Sequence, residues 1–284
     1  MRNSRQNAVR AKTAIAPSAR TKRSRHIKKR KKTKMSENKT NETIRLQSLS
    51  ASQRWLTCTA SLLYNDKPFM EKEVTVMGSL CHRISELMLR SHFFGEDHAE
   101  ELKNLRHDPF LSEDGKIAVK CTERLWGMAE NYATYAKSMA REHAHPNQEV
   151  FIEEKVNLKF YGYDKIGYVD FLIVTPEAIV IVDLKTGRVP VSADVNSQML
   201  LYAVATVQKK GLRERIITAI AQPVINSFDA YEYTPAMLGE WYAGQRQAMD
   251  EIAKNELVYR PSAKACKYCD HRDFCNERIK KGVC

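Results

Sequence analysis

The chain has 284 residues, 43% hydrophobic and 28% charged, with a formal net charge of +12. That is enough for one large domain or two modest ones with a real core, and neither a run near the ~18 apolar residues of a membrane span nor a secretory leader is read from it. The positive charge is local: residues 1–34 carry 14 Lys and Arg and no acid, whereas the other 250 hold 32 basic and 34 acidic groups.

Residues 1–47 read as a disordered basic tail and linker, because "RTKRSRHIKKRKKTK" repels itself and has almost nothing apolar to bury. Three roles stay open for it: a non-specific grip on nucleic-acid phosphates, a targeting leader, or an upstream extension of a chain whose working start is Met35. Residues 48–284 read as a single domain.

"SASQRWLTCTASLLY" (50–64) predicts a short helix capped by Ser50 or Ser52, with Trp55, Leu56, Leu62 and Leu63 making apolar contacts. "VMGSLCHRISELMLRSHFF" (76–94) has the spacing of an amphipathic helix. Residues 95–115 read as a charged loop, and 116–144 as a long helix in which Trp126 and Tyr132 are core residues rather than base-stacking platforms. Three β-rich runs follow at 148–160, 165–175 and 178–187, separated by "YGYD" and "PE" turns, which predicts an antiparallel meander. A helix over 191–211 stops at Gly211. A strand over 215–225 is limited by Pro223. A helix over 234–254 has Thr234 as N-cap and Pro235 at its first position, and Trp241 within it reads as core. There is no internal repeat. The order implies an α/β domain with one mixed sheet covered by helices, a helical N-terminal part and a cysteine-rich C-terminus.

Seven cysteines are too few and too clustered for a secreted disulfide scaffold. "KACKYCDHRDFC" (264–275) places Cys266, Cys269 and Cys275 in a C-x2-C-x5-C pattern. A thiolate metal site usually has four ligands, and this segment has no fourth cysteine; His271 could complete a local zinc knuckle. Cys81 and Cys121 read as small core residues and Cys284 as a spare.

The chemistry concentrates in "GYVDFLIVTPEAIVIVDLKTG" (167–187). Asp170 interrupts an apolar strand. Asp183 and Lys185 end the next one and share parity, so both leave the same face. A hairpin around Thr175–Glu177 would bring Asp170 and Asp183 together, and two converging carboxylates suit a hard divalent cation such as Mg²⁺ or Mn²⁺. The plain alternative is a strand-end ion pair between Asp183 and Lys185.

Asp170 followed by Asp183-Leu184-Lys185 resembles the core of the PD-(D/E)XK nuclease superfamily in its RecB-like branch. "GSLCHRISE" supplies that branch's helical histidine, His82, with Gly78 and Glu86, and "QMLLY" supplies its Gln198 and Tyr202. "LSASQRWLTCTASL", "EEKVNL", "GYVD", "IVDLKTGRVPVSADVNSQMLLYA" and "AIAQPVI" resemble, in order, a RecB-like family common in phage and prophage genomes, over about residues 48–281. One departure is Val224, where that family usually has Arg.

The resemblance implies a restriction-endonuclease-like core and a Mg²⁺- or Mn²⁺-dependent deoxyribonuclease. Asp170 and Asp183 would bind the metal, joined by the Leu184 carbonyl and by His82. Lys185 would position the attacking water. Glu153 would support the site, with Glu154 as its rival, and Gln198 and Tyr202 would touch DNA or brace Lys185. Some members hold a [4Fe–4S] cluster with one cysteine ahead of the core and three after it, which implies Cys58 with Cys266, Cys269 and Cys275, zinc being the alternative. The implied role is an exonuclease in phage DNA recombination, repair or processing, in the cytoplasm of a bacterial host. Its partners would be DNA and phage recombination or helicase proteins, with no membrane and no small-molecule substrate. The competing reading is a catalytically weak DNA-binding accessory protein of the same fold.

Overall fold

The computed structural model describes residues 48–64, 71–160 and 163–283. The expected basic tail and Cys284 lie outside the described residues. In chain order the elements are α1 (Ser52–Thr57), α2 (Glu73–Phe94), α3 (Ala99–His107), β1 (Phe110–Leu111), β2 (Ala118–Val119), α4 (Glu123–Glu142), β3 (Glu149–Phe160), β4 (Tyr163–Val174) and β5 (Ala178–Leu184). They continue with α5 (Ser197–Lys210), β6 (Arg215–Gln222), β7 (Ser227–Tyr233), α6 (Pro235–Gly244), α7 (Arg246–Lys254), α8 (Ala263–Cys266) and α9 (Asn276–Lys280).

A five-stranded sheet in the order β3-β4-β5-β6-β7 forms the centre. The expected meander is present: β3 pairs β4 and β4 pairs β5, both antiparallel. β5 then pairs β6 in parallel, with α5 as the crossover that a parallel connection requires, so the sheet is mixed. β7 closes it antiparallel to β6.

Helices cover both faces. On one, Met199, Leu200 and Leu201 of α5 pack on Leu172, Ile179, Ile181 and Ile216. On the other, Leu80 and Ile84 of α2 and Ala129 and Ala133 of α4 pack on Phe171, Ile173, Val180 and Val182. The strict alternation of β5 between these two layers explains why all seven of its residues are buried.

The alternation slips once. Ile152 and Phe171 belong to the α2/α4 layer, whereas Val156, Leu158 and Val169 belong to the α5 layer. The switch falls at Glu153 and Asp170, between the paired residues Ile152↔Phe171 and Glu154↔Val169. Glu153 has φ of +54°, a left-handed conformation that costs a β-carbon-bearing residue about 1–2 kcal/mol.

Several local expectations are corrected. Residues 99–107 form a helix and 110–119 a small hairpin, where a loop to residue 115 and then the start of a helix were expected, because apolar Leu102, Leu105 and Phe110 pack on α2 and α4. Ser50 and Ser52 do not cap α1; the Ser52 hydroxyl lies 2.8 Å from that of Ser197 in α5 instead. Leu63 is exposed and Cys121, just before the α4 cap Thr122, is only half-buried. The helix expected at 116–144 starts only at Glu123, and that at 191–211 only at Ser197, capped by Asn196. The helix expected over 234–254 breaks at Gln245 into α6 and α7. Thr234 does cap α6, accepting from the Met237 amide at 3.2 Å. Among the described residues no helix is long and apolar enough to cross a membrane.

Candidate metal centre and cysteine clasp

The middle of β4 and the adjoining end of β5 carry two neighbouring side-chain groups, one on each face of the sheet. On the α2 side, His82, Glu153 and Asp170 place ligand atoms within 4.8 Å of one another. His82 Nδ1 lies 3.5 Å from Asp170 Oδ2. The same oxygen accepts the Leu184 amide at 2.7 Å, which ties β4 to the end of β5.

On the α5 side, Asp183 is 3% exposed and Lys185 Nζ lies 2.7 Å from its Oδ2. At that distance the ion pair is close enough for a charge-assisted hydrogen bond from the ammonium to the carboxylate. Gln198 knits the group together. Its amide donates to Asp183 Oδ1 at 3.0 Å and to the Tyr202 hydroxyl at 3.2 Å, and its carbonyl accepts Lys185 Nζ at 2.8 Å. One helical turn separates Gln198 from Tyr202, so both reach the same point of the sheet.

The electrostatics follow from burial and from crowding of like charge. Burial, reinforced by the Asp170 carboxylate, pushes Glu153 up to about 7. Burial disfavours the His82 cation, but Asp170 outweighs it and raises His82 to about 9. Burial works against the Asp170 carboxylate too, yet His82 and the Leu184 amide hold it below the ordinary range. Burial, with Asp170 beside it, lifts Asp183 despite Lys185. Carboxylates that repel one another in a buried place are better satisfied by a cation than by water. One imidazole nitrogen and two carboxylates form a donor set that divalent ions such as Mn²⁺ or Mg²⁺ accept.

The donor group therefore contains Glu153 together with His82 and Asp170. Asp183 flanks it through Lys185 and Gln198, and Leu184 contributes its amide to Asp170. Glu154 points the other way and pairs with Lys209 at 2.7 Å. Glu86 bridges Arg83 at 2.7 Å and Arg90 at 2.8 Å at the rim.

Two further residues lie near the site: Tyr132, expected from the sequence only as a core residue, and Gln222, which the sequence reading did not single out. Tyr132 is 2% exposed and its hydroxyl has no partner among the described residues; burial, with Asp170 and Asp183 nearby, pushes it well above the ordinary tyrosine range. Gln222 is fully buried, donates to the carbonyls of Gly187 at 2.6 Å and Val189 at 2.8 Å, and accepts the Val191 amide at 3.1 Å. It holds the loop after Lys185 in place. A glutamine in an otherwise apolar strand was the available signal.

Away from this centre, Cys58, Cys266, Cys269 and Cys275 line one small pocket between α1 and α8. Three are buried and Cys269 is half-buried. The Arg260 amide donates to the Cys58 sulfur at 3.3 Å. His271 lines the same pocket with its ring stacked on Tyr64, centroids 3.6 Å apart. The chain around Cys58 is anchored to the C-terminal part by Thr59, whose hydroxyl donates to Glu251 at 2.7 Å, while Glu251 in turn pairs with Arg260.

Residues 45–283 match the family described as "Protein of unknown function (DUF2800)". No functionally curated protein matches the chain by sequence. Among solved structures, a candidate exonuclease from Eubacterium rectale is 12% identical with a TM-score of 0.44, covering 80% of this chain and 87% of the other. The protein SSO0001 is 15% identical with a TM-score of 0.33, covering 78% and 95%. Both are distant likenesses.

Proposed function

The chain belongs to the DUF2800 family, and we propose that it is a divalent-metal-dependent nuclease of the RecB-like PD-(D/E)XK type that hydrolyses phosphodiester bonds in DNA. The observation that carries this is the convergence of His82, Glu153 and Asp170 within 4.8 Å, beside the Asp183–Lys185–Gln198 group. His82, Glu153 and Asp170 would hold the cation, with Asp183 adjoining. When bound, Mg²⁺ or Mn²⁺ supplies Lewis-acid stabilisation of charge growing on the phosphate.

The protein's own groups do the rest. Lys185 has three N–H donors, and Asp183 and Gln198 restrain it, which leaves a proton to aim at a phosphate oxygen or at the attacking water. Gln198 fixes the direction of that proton, and Tyr202 fixes Gln198. Asp170 is itself oriented by the Leu184 amide. A preorganised ammonium of this kind stabilises charge that develops only as the phosphate is attacked.

We also propose that Cys58, Cys266, Cys269 and Cys275 hold a [4Fe–4S] cluster that pins the C-terminal segment to the nuclease core. An all-thiol donor set suits such a cluster, and the engagement of His271 in stacking with Tyr64 speaks against a local Cys3His zinc knuckle. Anaerobically purified protein should be brown, with about four iron and four sulfide per chain. A colourless protein with stoichiometric zinc would overturn the cluster and leave the nuclease reading standing. The setting that suits this activity is exonucleolytic processing of DNA ends in phage recombination, alongside helicase or recombination proteins.

The test of the nuclease is cleavage of linear duplex and single-stranded DNA with Mg²⁺ and with Mn²⁺, using Lys185→Ala as control. Loss of cleavage by about 10²-fold or more in the variant is expected. No cleavage with either ion, or cleavage indifferent to Lys185→Ala, sinks the proposal and favours a DNA-binding accessory role.

A further inference from the structure

The donor group opens into a trough longer than its own chemistry needs. A cavity of about 500 Å³ lies over His82 and Glu153, and a second of about 330 Å³ lies beside it. Val74, Gly78 and Thr186 line both, so the two are continuous along α2. Gly78 sits at the junction: a β-carbon there would meet the Thr186 hydroxyl at 3.1 Å and narrow the passage.

The two halves differ in character. The first is polar and carries His82, Arg83, Glu86 and Glu153. The second is walled by Met77, Leu125 and Met128 and holds no acidic residue, but Arg124 and Arg188 stand at it. Among the described residues neither guanidinium has a carboxylate partner. Arg124 makes one long bond, 3.5 Å, to the Val224 carbonyl. Arg188 is exposed, yet its loop is not loose, because Gln222 clamps the carbonyls on either side of it, at Gly187 and Val189.

An apolar pocket with two unneutralised guanidinium groups matches one kind of occupant, a flat aromatic ring flanked by anions. We propose that this second pocket is a nucleotide subsite. It seats an unpaired base of the strand whose phosphodiester lies at His82, Glu153 and Asp170, while Arg124 and Arg188 take the neighbouring phosphates. The proposal rests on the nuclease reading above and adds the form of the substrate. Polarisable thioether walls suit the face of a base whatever its identity. A duplex keeps its bases stacked and offers only phosphates here, so the apolar wall gives no advantage to paired DNA. A volume of about 330 Å³ falls in the range of small-ligand pockets.

The test is fluorescence anisotropy with the full chain and Ca²⁺ in place of the catalytic ion. The probes are a labelled single-stranded oligonucleotide, the same strand with one abasic position, and a blunt duplex. Arg188→Ala should weaken single-strand binding about 5–10-fold and lower the slope of log affinity against log salt by about one. Met128→Glu should weaken single-strand binding about tenfold with less than about twofold effect on the duplex, and should add nothing for the abasic strand. Met128→Ala should show the same pattern more weakly. Unchanged Mn²⁺ binding certifies that the variants are folded. If the wild type cleaves DNA but the Met128 variants match it, or lose single strand and duplex equally, the subsite is wrong and the nuclease stands. If the wild type neither binds nor cuts any of these DNAs, both fall.

Discussion

Glu153 stands across the β3–β4 ladder from Asp170, and at this pair both strands exchange the faces of the sheet they bury. The left-handed backbone of Glu153 turns its carboxylate toward His82 while its neighbour Glu154 remains on the α5 side. Backbone strain and the candidate donor role meet in one residue. Glu153→Gly should therefore raise stability by about 1 kcal/mol in thermal or urea unfolding and yet abolish tight Mn²⁺ binding. Glu154→Gln should change neither. A Glu153→Gly protein that binds Mn²⁺ as the wild type does would remove Glu153 from the donor group.

Metal affinity should depend on pH with a defined sign. A cation needs His82 and Glu153 without protons. Glu153 releases its proton near about 7 and His82 near about 9, whereas Asp170 is ionised well below that. Affinity should rise with pH, with about two protons released per ion below pH 7, about one between 7 and 9, and none above. Calorimetric titration in buffers of different ionisation enthalpy counts these protons. In His82→Ala the upper step should vanish.

The Lys185 group makes a graded prediction. Tyr202→Phe removes one partner of Gln198 and should cost cleavage about 3–10-fold, since the Lys185–Asp183 pair survives. Gln198→Ala frees Lys185 from its second restraint and should cost about 10²-fold. Both should appear in kcat rather than in metal affinity. Steady-state kinetics over a range of Mn²⁺ concentrations separates the two.

Gly167 makes the sharpest packing prediction. A β-carbon there would lie 2.7 Å from the Tyr202 ring and 2.8 Å from Leu49, both buried. Gly167→Ala should destabilise the fold by about 1–3 kcal/mol and also slow cleavage, because the displaced ring is the one that braces Gln198. Chemical denaturation and the cleavage assay check the two halves separately.

Gln222 supports the loop after β5 through three hydrogen bonds. Gln222→Leu keeps the volume but strands two carbonyls and an amide, at a cost of about 1–3 kcal/mol. Hydrogen exchange should speed up at Val191 in particular.

Much of this arrangement can be read in the sequence, for physical reasons. Period-two burial marks β4 and β5, and a two-residue turn forces them into a hairpin, so the meeting of Asp170 with the end of β5 follows. Shared parity places Asp183 with Lys185. What cannot be read is the slip at Glu153. A strict alternation puts residues 152 and 156 on one face, and only a left-handed residue, which glutamate rarely becomes, breaks that count. Choosing Glu153 over Glu154 therefore needs the backbone. β7 is equally obscure, since "SFDAYEY" alternates but its exposed Glu232 and half-buried Asp229 give it the polarity of a loop. The break at Gln245 is hidden because Gly244 and Gln245 sit inside an otherwise continuous helical pattern.

The pocket that joins Cys58 to Cys266, Cys269 and Cys275 also has a consequence for synthesis. Cys58 leaves the ribosome about 200 residues before its partners, an interval of about 10–40 s at ordinary translation rates. The sheet can be complete well before the pocket is. Closing it thus follows the sheet, and a chain interrupted between Tyr233 and Cys266 has all five strands of the sheet and the candidate site residues but no closure. On the proposed reading, such a closure would distinguish finished molecules from unfinished ones, and a nuclease released half-made is the kind of molecule for which a cell gains from that distinction.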